Sequence, residues 1–169
     1  NDLDEHAIAA LGAAPVDSYG VGTKLVTGSG RPTAALVYKL VEREGADGTM
    51  EEVAKFSSGG KSTVGGRKWA GRTLTSEGTA AEELVVSSSS QDQGLAALSE
   101  AGARPLQVLL VDEGRIIEEH RGKEALSAAT ERHRAARAEL PYDAWRLSDG
   151  ESALPTRHVD LDGRSATRR

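Results

Sequence analysis

Gly20-Val21-Gly22-Thr23 directly follows a segment that reads as a short strand and can turn several backbone N–H groups toward one point, where a phosphate could approach with no Cβ in its way. That spacing fits an anion cradle or an ordinary tight turn. A dinucleotide fingerprint is excluded, because its third glycine would fall at Leu25. A second set of residues with chemical potential lies between 54 and 72, where Lys55, Lys61, Arg67, Lys68 and Arg72 are interleaved with five glycines and no acid. Such a positive field in an acidic protein suits an anionic ligand or partner, the alternative being a solvated hairpin tip. Trp69 within it could stack on a base, but a single aromatic residue is a poor nucleic-acid signature.

Other constellations are weaker. Gly60-Lys61-Ser62 looks like the end of a P-loop, yet the first glycine of that motif would have to replace Lys55 and no helical pattern follows. His6, His120, His133 and His158 form no i, i+4 pair and have no cysteine nearby, which argues against zinc. His133 lies on the apolar side of a helical pattern and reads as a packed residue rather than a base. Asp2 and Asp4 could meet a ribose or Mg²⁺, but helix capping is the simpler account. Ser29, between Gly28 and Gly30, lacks the outer glycines of a nucleophile elbow, since Thr27 and Arg31 occupy those places.

The elements that must position these residues read as α/β at the start and mostly β in the middle. Asp2 and Glu5 stand at capping-box spacing, and Gly12 and Pro15 supply a stop, predicting a helix over residues 3–12. Val16 to Tyr19 reads as a short strand leading into the glycine loop. The apolar run Ala34 to Val41 reads as a buried strand, paired through the Asp47-Gly48 turn with Val53 to Phe56. Residues 68–75 and 82–88 are weaker strand candidates, and Ser87 to Gly94 reads as a solvated connector. A second hairpin joins Leu106–Val111 to Arg115–Ile117 through Asp112-Glu113-Gly114, with the glycine at φ > 0. Leu126, Ala129, His133, Ala136 and Leu140 recur at helical spacing from Lys123 to Leu140, where Pro141 closes the run. The tail beyond Asp160 lacks periodicity.

Composition bounds the rest. The 169 residues carry 21 basic and 26 acidic side chains, a net charge of −5, and no cysteine, which removes disulfide scaffolds and thiolate metal sites. With 25 alanines and six aromatic residues the expected core is thin, so a partner surface would help it. No apolar run approaches membrane-span length and no leader pattern is visible, so a cytoplasmic location is expected. The first residue is Asn1 and the sole methionine is Met50, which raises the expectation of a piece of a longer chain.

Taken in order, Asp2-Leu3-Asp4-Glu5, Asp17-Ser18-Tyr19-Gly20-Val21-Gly22-Thr23, Leu25-Val26-Thr27-Gly28-Ser29-Gly30 and Val37-Tyr38-Lys39-Leu40-Val41 resemble nicotinate phosphoribosyltransferase. Lys55-Phe56-Ser57, Lys61-Ser62-Thr63 and Gly66-Arg67-Lys68 resemble that family's basic segment, and the likeness continues through Glu131-Arg132-His133-Arg134 and Leu140-Pro141 to about Pro155. It covers the C-terminal part of a family member.

The resemblance implies the union of nicotinate with phosphoribosyl pyrophosphate to give nicotinate mononucleotide and pyrophosphate, for NAD salvage. ATP hydrolysis is coupled to it through a phosphohistidine that no histidine here matches, and Mg²⁺ is implied with the ATP. A TIM-like type II phosphoribosyltransferase barrel with a β-rich accessory domain, working as a homodimer, is the implied whole. Such a barrel needs roughly 250 residues.

On this reading residues 1–31 are the barrel's last helix, strand and glycine loop, 32–120 a β-rich accessory region with basic loop 54–72, and 121–169 a helix and tail. Gly20, Val21, Gly22 and Thr23 match the loop that holds the ribose 5-phosphate, with Asp2 and Arg31 as further candidates on the phosphate. Lys55, Lys61, Arg67 and Lys68 are candidates for the pyrophosphate side. Val64-Gly65 stands where the family usually has a proline before Gly-Arg-Lys. A noncatalytic basic β-rich module binding nucleotide or RNA is the alternative function. The related quinolinate enzyme fits the glycine loop and not the basic segment.

Overall fold

A computed structural model describes residues 3–29, 37–55, 63–147 and 150–163. Helix α1 spans Glu5–Ala10, and its cap is Asp4, whose carboxylate accepts from the Ala7 N–H at 2.8 Å. The cap is thus Asp4, and Asp2, the other half of the capping box expected with Glu5, lies outside the described residues. Val16 to Tyr19 is not a strand: all four residues are exposed, and no described strand lies beside them. An extended segment becomes a strand only when a ladder satisfies its backbone groups, which four residues of suitable composition cannot supply alone. The glycine loop runs instead into a single helical turn, α2, Lys24–Thr27.

Strands β1 (Glu42–Glu44) and β2 (Met50–Glu52) form the first hairpin around Asp47-Gly48. The turn is where the sequence places it, but the strands are shorter and shifted. Val37, Tyr38 and Leu40 are 70%, 103% and 67% exposed, so the apolar run expected to be buried is not, and residues 34–36 and 56 lie outside the described set. Turn chemistry rather than hydrophobicity sets the register. The Thr49 N–H and hydroxyl both donate to Asp47 Oδ1, Gly48 takes φ +80°, and Glu44 and Met50 are the first pair outward.

The main sheet contains β3 (Lys68–Leu74), β4 (Ala80–Ser87), β5 (Arg104–Pro105) and β8 (Thr156–Asp160), in the order β5-β3-β4-β8. The two candidates judged weaker by pattern, near 68–75 and 82–88, are its central antiparallel pair. β8 joins parallel to β4 and has no strand signature of its own, because its partner contributes the apolar residues.

Helix α3 (Gln91–Glu100) covers one face of this sheet and closes the core of Leu84, Val86, Leu98 and Ala103, with Trp69, Ala97 and Val159 against it. This corrects the expectation of a solvated connector over Ser87 to Gly94. Ser88 is fully buried and accepts from the Ser90 N–H, while Ser90 caps α3 by accepting from the Gln93 N–H. The serines are the joint between strand and helix, because their short hydroxyls satisfy orphan donors where the chain turns.

The second hairpin is real but small. β6 (Val111–Asp112) pairs with β7 (Arg115–Ile116), and both turn residues, Glu113 at φ +45° and Gly114 at φ +78°, are left-handed. Helix α4 spans Gly122–Ala138, close to the expected limits, but none of its residues is buried and His133 is exposed rather than packed. Near its C-terminal end the Ala136 carbonyl accepts from Arg72 of β3, while Leu126 on its apolar stripe is 70% exposed. No helix among the described residues is long and apolar enough to cross a membrane. The chain is mixed α/β.

Candidate functional site

Two compact units carry the candidate residues, one made of residues 1–38 with 146–150, the other of 39–145 with 151–169. The first holds the glycine loop. Neither Gly20 nor Gly22 has a positive φ, and a Cβ built on either meets no atom within 4 Å. Neither backbone conformation nor crowding from the described chain therefore requires glycine at these positions, which leave bare backbone facing open space. The loop continues into α2 through the Gly22 carbonyl, which accepts from the Leu25 N–H at 3.0 Å, and the Thr23 carbonyl, which accepts from Val26 at 3.0 Å.

Behind the loop, Glu5 Oε1 accepts from the Ser29 hydroxyl at 2.6 Å and from the Ser29 N–H at 3.2 Å. The Ser29 hydroxyl above all, with backbone donors, holds the Glu5 carboxyl down to about 2 from its ordinary 4.5. Sequence reasoning examined Ser29 as a nucleophile and Glu5 as a cap, and missed their pairing across 24 positions, for which no local pattern exists. Asp2 and Arg31, the other phosphate-side candidates, lie outside the described residues.

In the second unit the basic segment loses much of its isolation. Arg67 donates through its backbone N–H and Nε to the two oxygens of Glu42, at 3.3 and 3.0 Å. Lys68 Nζ donates to the carbonyls of Val64, Gly65 and Gly66 at 2.6, 3.1 and 2.7 Å, so all three ammonium protons are used in shaping the preceding turn. Burial lowers the Lys68 pKa, and the Glu42 charge opposes that shift.

Arg72 donates to Glu83 at 2.8 Å and to Glu139 at 3.4 Å, and Arg104, its neighbour across the ladder, donates to the same Glu139. Acids distant in sequence thus meet a segment that contains none. Lys55 is exposed, its backbone N–H donating to the Thr63 hydroxyl at 2.8 Å, and Lys61 lies outside the described residues. Trp69 packs on the backbone of Gly94 in α3 and is not a free stacking platform.

A shallow cleft of about 350 Å³ lies between Arg72, the end of α4 and Trp145, with the Arg137 guanidinium 4.2 Å above the Trp145 ring. Among the described residues no group of three or more His, Asp and Glu side chains could hold a metal ion.

Comparison with curated proteins places the chain in a class: the relatives are phosphoribosyltransferases by name. More narrowly, they are nicotinate phosphoribosyltransferases, and the chain is their kin. It is 44% identical over 158 residues to nicotinate phosphoribosyltransferase pncB1 of Mycobacterium tuberculosis (strain ATCC 25618 / H37Rv), covering 94% of this chain and 32% of that protein. The nicotinate phosphoribosyltransferase of Bacillus subtilis (strain 168) is 49% identical over 71 residues, 40% of this chain and 14% of that protein. That of Dictyostelium discoideum is 38% identical over 88 residues, 51% of this chain and 14% of the relative. The chain spans about a third of the length of the Mycobacterium relative. No protein-family model matches it.

Proposed function

We propose that this chain is the C-terminal part of a nicotinate phosphoribosyltransferase, and that its glycine loop holds the 5-phosphate of phosphoribosyl pyrophosphate. The supporting observation is the open backbone at Gly20 and Gly22, where neither a left-handed φ nor a packed neighbour accounts for glycine. A phosphate seated on bare N–H groups does account for it, because a side chain would occupy the anion's place. The likeness to named nicotinate phosphoribosyltransferases supplies the substrate class.

In the whole enzyme the loop would orient the ribose while nicotinate displaces pyrophosphate at the anomeric carbon. The basic segment would serve the leaving pyrophosphate, whose charge grows in the transition state. Lys55 and Lys61 would act by charge, Arg67 and Lys68 chiefly by shaping the backbone that carries them. ATP coupling and a phosphohistidine would be supplied by parts of the whole enzyme outside this chain, as would most of the barrel to which residues 1–31 would contribute. A homodimer in the cytoplasm is the setting the family implies.

The test is Gly22→Val in an intact enzyme carrying this segment. The expected result is a KM for phosphoribosyl pyrophosphate raised far more than that for nicotinate. Equal effects on both substrates would overturn the assignment.

A further inference from the structure

We infer that Glu5 and Ser29 are positioning residues which hold the glycine loop in its binding shape from behind, using α1 as the template. The inference rests on the reading of that loop as a phosphate site and adds residues that do not touch the ligand. The loop Gly20–Thr23 is tied to α1 on both flanks. On the entering side the Tyr19 hydroxyl donates to the Leu11 carbonyl at the end of α1, at 3.4 Å. On the leaving side α2 ends at Gly28, whose φ of +55° turns the chain so that the next N–H and hydroxyl both reach Glu5 at the start of α1.

A side chain at Gly28 would be strained by that φ and would also stand 3.5 Å from the Glu5 carboxylate, so the glycine belongs to the same device. The bond from the serine hydroxyl is charge-assisted and short, the kind that fixes geometry most firmly. A loop that must present several N–H groups to one anion gains affinity from being ordered beforehand, since ordering it on binding would subtract from the interaction.

The experiment uses an intact enzyme carrying this segment, unaltered and as Ser29→Ala, Ser29→Thr and Glu5→Ala. Two readouts are taken by NMR: amide hydrogen exchange, and shifts of the Gly20–Thr23 amides on titration with phosphoribosyl pyrophosphate. Loss of the hydroxyl should speed exchange at the Leu25, Val26 and Gly28 amides and weaken phosphoribosyl pyrophosphate about fivefold or more, as expected for a hydrogen bond to a charged group. Exchange at Ile8 in α1 and at its C-cap Leu11 should not change with Ser29→Ala, and Ser29→Thr should restore both readouts. Unchanged exchange and affinity in Ser29→Ala and Glu5→Ala would overturn the positioning role while leaving the phosphate reading intact. An unaltered enzyme whose loop amides ignore phosphoribosyl pyrophosphate would overturn the phosphate reading and the positioning role with it, whatever the exchange data show.

Discussion

The indole of Trp69 on β3 lies so close over Gly94 on α3 that a Cβ at position 94 would stand 1.9 Å from the ring's Cδ1. One large side chain and one missing side chain thus set how closely the helix approaches the sheet. Gly94→Ala must either expel the ring or lift α3 from Leu84 and Val86. It should destabilise the chain by about 1–3 kcal/mol, the range of an overpacked core, measured by urea unfolding. An unchanged midpoint would mean that this close approach does not exist in solution.

Gly22→Ala should behave in the opposite way. With nothing within 4 Å of the added Cβ and no positive φ to relieve, its unfolding midpoint should be no lower than that of the unaltered chain. Affinity for phosphoribosyl pyrophosphate should fall, because the methyl group would sit where the proposed phosphate does. Measuring stability and binding on one sample separates a ligand-facing glycine from a structural one.

Glu139 bridges two guanidinium groups that face each other across the β3–β5 ladder, Arg72 and Arg104, and its side chain is only 16% exposed. Glu139→Ala should therefore cost more than Arg104→Ala, about 2–3 kcal/mol, since it leaves two neighbouring cations without their shared acid in a half-buried place. A double-mutant cycle in urea, with Arg104→Ala as the second change, would find the coupling; additive effects would show that the bridge is inert.

The Glu5–Ser29 clamp should respond to acid over a defined window. The carboxyl is held down to about 2 when folded against an ordinary 4.5, so the stability it contributes is complete above the ordinary value and lost as pH falls from there through about 2. Carbon-13 NMR of the Glu5 carboxyl should show that low titration, with Ser29→Ala moving it back toward the ordinary range. A Glu5 that titrates near 4.5 in the unaltered chain would mean the clamp is open.

Lys68 should tolerate no replacement as a simple charge. Its ammonium meets three carbonyls that converge from residues 64–66, a geometry suited to a tetrahedral donor and not to a planar guanidinium fork. Lys68→Arg should loosen the turn nearly as much as Lys68→Met, seen as faster exchange of the Gly66 amide, which donates to the Val41 carbonyl at 2.8 Å. Full protection in Lys68→Arg would restore the reading of a plain surface cation.

Whatever depends on neighbours a few residues apart was legible in the chain's own order of residues. Helix α4 and its end a few residues before Pro141, the Asp47-Gly48 and Glu113-Gly114 turns, and the kinship carried by the glycine and basic segments all rest on such short spacings. The partners of each charge and each apolar face were set by the tertiary structure, because those choices join residues far apart. Glu42 reaches Arg67, Glu139 reaches Arg72 and Arg104, and Glu5 reaches Ser29, so a segment without acids of its own is nonetheless paired. The serine run became a buried strand-to-helix joint for the same reason. Hydroxyls that look solvated in sequence are drawn inside when the chain turning around them leaves backbone donors that only they can satisfy.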